Sequence, residues 1–241
     1  MHFSSFIFDL YGTLADIHTD ETLPSLWTGA AADANAFGTS YDAASYRAAY
    51  LSLCADEVRL RMLQLPSVPE EYAEPELLHV FQRLLSEGGA DSADAAPMLA
   101  KRFRERSTLR IGRMPHALET LDALRLAGKR VFLLSNAQAC FTNDELERLD
   151  LKDRFDAVLL SSDAGMKKPY RGLFERLIDS CGIDRSTALM VGNDAVADMG
   201  GAHAAGIRGA YIHTWQSDTY PAALPDGCFE IKDLSELKQF L

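Results

Sequence analysis

The stretch Phe3-Ser4-Ser5-Phe6-Ile7-Phe8-Asp9-Leu10-Tyr11-Gly12-Thr13-Leu14 decides how the rest of the chain is read. Its aromatic first half predicts a short buried strand over residues 3–8, and Gly12 marks where that strand breaks. Asp9 falls at the break, where a carboxylate has no place in the strand pattern and is free to do chemistry.

Working outward, the second half of the chain alternates. A helix over residues 116–126 stops at Gly128, and the run Val131-Phe132-Leu133-Leu134 follows as a strand. Another helix is predicted from Thr142, where Thr142-Asn143-Asp144-Glu145 has capping-box spacing. Then come a strand at 157–160, a helix at 172–181, a strand at 188–191, a helix at 199–205 and a strand at 209–212. Strands alternating with helices predict a doubly wound parallel sheet covered on both faces, the Rossmann-like form of an α/β fold. In such sheets the ligand lies beyond the carboxyl ends of the strands. Residues 19–110 read differently. Leucine, alanine and arginine dominate, helical periodicity is plain over 46–65 and 75–87, and Gly88-Gly89 through Ala96 reads as a loop between helices. The division expected is an all-helical insert over residues 16–109 within an α/β core formed by 1–15 and 110–241.

Composition narrows the function. The chain has 241 residues, 47% of them hydrophobic, which is enough for a core with an accessory domain. Its formal net charge of −11 argues against a nucleic-acid partner, which needs basic stripes. No run of about 18 apolar residues exists, so no membrane span is expected. The N-terminus carries no signal-peptide pattern, and the scattered cysteines Cys54, Cys140, Cys181 and Cys228 read as reduced thiols in a cytoplasmic setting. No dinucleotide or P-loop glycine spacing is present.

Four strand ends carry reactive residues in one order: Asp9-Leu10-Tyr11-Gly12-Thr13-Leu14, then Ser135-Asn136, then Lys168-Pro169, then Gly192-Asn193-Asp194 with Asp198. This ordered set resembles the four motifs of the haloacid dehalogenase superfamily, with the helical insert where that family carries its type-1 cap. The resemblance covers essentially the whole chain. It implies a hydrolase in which Asp9 attacks and forms an aspartyl ester, splitting one hard displacement into two easier ones. It further implies that Lys168 balances charge, and that Thr13, Ser135 and Asn136 hold the transferred group. Mg²⁺ is implied as cofactor, held by Asp9, the backbone carbonyl of Tyr11, and either Asn193 through its amide oxygen or Asp194. Asp198 would hold Lys168 or a metal-bound water.

Tyr11 departs from the phosphatase pattern, which places an aspartate there as general acid. A phenol with a pKa near 10 can donate a proton but makes a poor base afterwards. Asp-x-Tyr-Gly-Thr-Leu is what L-2-haloacid dehalogenases carry, and those use a cap arginine for the substrate. Arg47 is the candidate here, with Arg59 and Arg61 competing. The acidic fourth motif and Lys168 point instead to a Mg²⁺-dependent phosphatase of small phosphorylated metabolites. A metal-independent dehalogenase and a catalytically weak member binding a phosphometabolite or a protein are the alternatives. A small anionic substrate is expected in each enzymatic reading, and oligomeric state is not legible.

Overall fold

Phe6, Ile7 and Phe8 are wholly shielded from solvent, and the sheet is built outward from them. The computed structural model describes residues 2–90, 92–217 and 220–241. Strand β1 (Ser5–Phe8) leads to β2 (Ala15–Thr19) and then to four helices: α1 (Pro24–Asn35), α2 (Ala43–Gln64), α3 (Leu77–Glu87) and α4 (Ala96–Ser107). The chain returns through β3 (Thr108–Arg113) to α5 (Ala117–Leu126), β4 (Arg130–Ser135), α6 (Ala139–Arg148) and β5 (Ala157–Leu160). It closes with α7 (Ser161–Ala164), α8 (Arg171–Cys181), β6 (Ala188–Gly192), α9 (Gly201–Ala204), β7 (Arg208–Ile212) and β8 (Cys228–Ile231).

Six strands form one parallel sheet in the order β5-β4-β1-β6-β7-β8. Side chains alternate across it. Phe6 and Phe8 pack with Leu133, Leu189 and Val191 on one face, while Ile7 packs with Phe132, Leu134 and Met190 on the other. Burial on both faces is why these strands read as unbroken apolar runs, and each such side chain contributes about 1.5–3 kcal/mol. Strand β1 lies between β4 and β6, so the chain winds away from it in both directions. That reversal opens a crevice at the carboxyl ends of β1, β4 and β6.

The four helices α1–α4 share an apolar core of their own, including Trp27, Tyr50, Phe81 and Phe103. Phe141, from α6 of the sheet domain, inserts into that cluster with ring centroids 6.2 Å from Phe81 and 6.5 Å from Phe103. Among the described residues, no helix is long and apolar enough to cross a membrane.

Several local expectations are corrected. Residues 15–19 and 108–113, within or beside the stretch read as purely helical, form an antiparallel two-stranded ribbon. Both strands are short and about half exposed, so no apolar run announces them. Helix α6 starts at Ala139, not at Thr142, and its N-cap Gln138 makes no side-chain cap bond. Thr142 and Glu145 lie inside the helix and turn toward Tyr11. The helix predicted from 199 begins as a π-turn over Ala195–Gly200 that runs into α9. The loop expected from Gly88 to Ala96 includes Asp91, which lies outside the described residues.

Candidate active site

Asp9 leaves β1 with 6% of its surface exposed, its backbone N–H donating to the carbonyl of Val191 at 2.9 Å. Its Oδ1 accepts from Lys168 Nζ at 2.7 Å and from Ser135 Oγ at 3.0 Å. Thr13 Oγ1 lies 3.3 Å from Asp9 Oδ2 and 3.2 Å from Asn193 Oδ1, with one proton to give to either. The loop can close this tightly because Gly12 has φ +83° and no side chain. A Cβ there would sit 2.4 Å from Asn193 Nδ2.

Lys168 is buried between two carboxylates, with Asp198 Oδ1 2.6 Å from its Nζ. Burial alone would pull its pKa down, but Asp198 and Asp9 outweigh that and hold it up at about 12. Full burial pushes the Asp198 carboxyl up, against the pull of Lys168. Asp198 Oδ2 accepts from the backbone N–H of Asp194 at 3.0 Å. Gly192 leaves room for this, since a Cβ at that position would fall 2.1 Å from the same oxygen. Asp194 Oδ1 in turn accepts from the N–H groups of Val196 and Ala197 and caps the π-turn.

Thus Asp9, Thr13, Ser135, Lys168, Asn193 and Asp198 are brought together. Asn136 borders the cavity over these residues, and its amide also meets the Lys168 backbone. Its Oδ1 accepts from Lys168 N at 2.7 Å and its Nδ2 donates to Lys168 O at 3.0 Å, so its amide clamps the lysine backbone. Arg47 is not brought to the site; it is exposed on α2, with its guanidinium 5.5 Å from the Trp27 ring centre. Arg59 pairs with Asp56, and Arg61 lies 3.7 Å from Glu76.

The arginine that does approach is Arg104, at the end of α4, with its Cζ 5.5 Å from the Tyr11 ring centre. Arg104 Nε donates to Glu145 Oε1 at 2.6 Å. The Tyr11 hydroxyl donates to Glu145 Oε2 and lies 2.8 Å from Thr142 Oγ1. Burial first, and Glu145 second, push the Tyr11 phenol well above its ordinary value. Sequence reasoning missed both partners. Arg104 is one of several arginines on α4, and Glu145 looked like part of a helix cap.

A cavity of about 220 Å³ lies over these residues, bounded by Asp9, Tyr11, Ser135, Lys168, Asn193 and Asp194. Asp198, Gln216 and Ser217 also border it, the last two unmarked by any sequence motif. A larger chamber of about 590 Å³ adjoins it, sharing Tyr11, Asn136 and Gln216. Glu21, Glu74, Arg104 and Trp215 line the chamber. At the smaller cavity three carboxylates face one ammonium, leaving two formal negative charges where an anion would have to enter. The donors there are oxygens, the kind a hard divalent cation takes. Among the described residues no group of three or more His, Cys, Asp or Glu forms a complete cage.

A family model described as haloacid dehalogenase-like hydrolase matches residues 3–206. A phosphoserine phosphatase from Thermus thermophilus is 30% identical over 166 residues, covering 69% of this chain and 65% of that protein. The matched stretches cover between 40% and 65% of three curated relatives' own lengths, less than two thirds of each. A 2-haloacid dehalogenase from Pseudomonas syringae pv. Tomato superposes with a TM-score of 0.63 at 22% identity, covering 99% of this chain and 97% of its own. A HAD phosphatase from Thermococcus onnurineus gives 0.61 at 20% identity, covering 98% and 96%. At such identities these likenesses speak for the fold alone.

Proposed function

The chain belongs to the haloacid dehalogenase-like hydrolases, and from that premise we propose that it is a Mg²⁺-dependent phosphatase of small phosphorylated metabolites. The observation that carries this is the clamp on Asp9. Lys168 and Ser135 fix Oδ1 at 2.7 and 3.0 Å, which leaves Oδ2 as the oxygen that attacks. A carboxylate is a weak nucleophile in water and a useful one when held in line. Asp9 takes the phosphoryl group, and water then opens the aspartyl phosphate.

Lys168 balances the charge of Asp9, with Asp198 and Asn136 holding it in position. Thr13 offers its hydroxyl to the transferred group, and Ser135 does so on turning its hydrogen from Asp9 Oδ1 once the ester has formed. Asp9, the Tyr11 carbonyl and Asn193 would hold Mg²⁺, with Asp194 at the rim of the cavity. When bound, the cation would neutralise the negative cavity and polarise the phosphoryl oxygens. Residues 16–109 act as a cap that screens the chamber from water and selects a small anionic substrate, while 1–15 and 110–241 form the core. Four unpaired cysteines support a cytoplasmic setting.

A second reading is favoured by one observation. The Tyr11 hydroxyl keeps its proton and donates it in a hydrogen bond to Glu145, which suits a halide that leaves unprotonated, as in a metal-independent L-2-haloacid dehalogenase. The test sets 4-nitrophenyl phosphate beside 2-chloropropionate, each with Mg²⁺ or EDTA, with Asp9→Asn as control. Phosphate release that requires both Mg²⁺ and Asp9 is expected. Chloride release that survives EDTA, with no phosphate released, overturns the phosphatase reading.

A further inference from the structure

The turn that follows β7 touches both the nucleophile loop and the ribbon that leads into the helices. Strand β2 has β3 as its ladder partner on one side, so the backbone groups of its other edge need partners from elsewhere. Gln216 supplies them. Its Nε2 donates to the Ile17 carbonyl at 2.6 Å, and its Oε1 accepts from the Ile17 N–H at 3.5 Å. One side-chain amide thus stands in for a neighbouring strand. Trp215 holds the residues on either side of Ile17. Its Nε1 donates to Asp16 Oδ1 at 2.8 Å, and its ring stacks on His18 with centroids 5.7 Å apart.

The ends of the turn face the other way. Thr214 Oγ1 donates to the carbonyl of Gly12 at 3.0 Å, and Ser217 Oγ donates to the carbonyl of Asn193 at 2.8 Å. The N–H of Thr214 meets Ser217 Oγ at 3.1 Å, and the N–H of Ser217 meets the Thr214 carbonyl at 3.0 Å, which closes the turn. Beside Gly12, Thr13 Oγ1 lies 3.3 Å from Asp9 Oδ2, so a short run of bonds leads from the ribbon to the nucleophile. Gln216 also borders both the cavity at Asp9 and the chamber beside it.

We propose that residues 214–217 couple the placement of the ribbon, and of the helices it carries, to the alignment of Asp9, with Trp215 and Gln216 as positioning residues. The inference rests on the function proposed above only in taking Asp9 as the nucleophile, and it is the same for either substrate class. A carboxylate nucleophile owes its reactivity to alignment, and a misplacement of about 1 Å caused from a distance can cost on the order of 10²-fold in rate.

The test starts with Gln216→Met, which keeps the length of the side chain and removes both amide bonds. The substrate is 4-nitrophenyl phosphate with Mg²⁺ or 2-chloropropionate with EDTA, whichever the parent turns over. The expected result is a kcat lower by about 10- to 10²-fold, with KM changed by less than about threefold. The melting point should stay within about 2 °C of the parent. Trp215→Phe and Asp16→Ala break the same contact, so the pair should cost little more than Asp16→Ala alone, while Asp16→Asn, which keeps an oxygen for Trp215, should recover most of the rate. Amide exchange at Gly12 and Thr13, followed by NMR, should accelerate by about tenfold in Gln216→Met. An unchanged kcat overturns the inference, and so does a rise in KM alone, which would make Gln216 a substrate contact. Additive losses in the pair, or unchanged exchange at Gly12 and Thr13, overturn it as well. If the parent turns over neither substrate, the proposed function fails by itself, and the exchange measurement alone decides this inference.

Discussion

Replacing Lys168 with methionine should cost far more stability than any single contact suggests. Its Nζ lies 2.7 Å from Asp9 and 2.6 Å from Asp198, and all three side chains are nearly closed to solvent. Methionine fills similar space but leaves two buried carboxylates without their cation. Removing one partner from a buried ion pair costs about 3–5 kcal/mol, and here one removal strands two charges. For a chain of this size the melting point should fall by roughly 6–20 °C. The assay is urea unfolding of both proteins, followed by circular dichroism, at pH 7 and at pH values descending toward 3.8, the ordinary aspartate value. The sign of the pH effect follows from Asp198. Burial already pushes its carboxyl up in the native protein, and losing Lys168 pushes it further. A carboxyl raised on folding holds a proton that the unfolded chain releases, so acidification favours the folded variant. The gap between variant and parent should therefore narrow as pH falls, and adding Asp198→Asn should recover most of the loss. A deficit below about 1 kcal/mol at pH 7, or a gap that widens on acidification, would refute the claim that Lys168 balances a buried carboxylate pair.

Two other perturbations probe separate parts of the molecule. Gly12→Ala forces a side chain into a left-handed turn and against Asn193, so it should cost about 1–2 kcal/mol of stability while lowering kcat/KM at least tenfold; unchanged turnover would mean that Asn193 can move without consequence. Phe141→Ala empties a place shared with Phe81 and Phe103 and should cost about 3–5 kcal/mol, with amide exchange accelerating first in α3 and α4; acceleration confined to the sheet would contradict the packing described.

The sheet was legible because strands buried on both faces must be apolar in their middles, and Phe6–Phe8 of β1, 131–134 of β4 and 188–191 of β6 are unbroken apolar runs. Asp9, Ser135, Lys168 and Asp198 stood out as polar residues closing such runs or following them in a fixed order, and they converge in space. What stayed hidden was set by tertiary partners. The ribbon strands β2 and β3 are half-exposed and carry no periodic signal. Thr142 and Glu145 have the spacing of a helix cap, but Tyr11 and Arg104 claim them instead. Arg47 was singled out by its place on a helix, whereas the arginine that faces Tyr11 is Arg104, one of three on α4. Asn136 was legible as a site residue, but not the two bonds its amide makes to the Lys168 backbone.

The ribbon has an architectural consequence. Asp16 pairs with Gly112 and Ile17 with Ile111, so the outgoing and returning chains lie side by side in one ladder. From the side of the sheet, everything between them is the tip of a hairpin, however many residues it holds. Lengthening a loop whose ends are already joined adds little closure entropy, about 0.6 kcal/mol per doubling. Evolution could therefore enlarge, shorten or exchange the material beyond the ribbon while the nucleophile turn kept its register, and the same crossing is the natural splice point for chimeras.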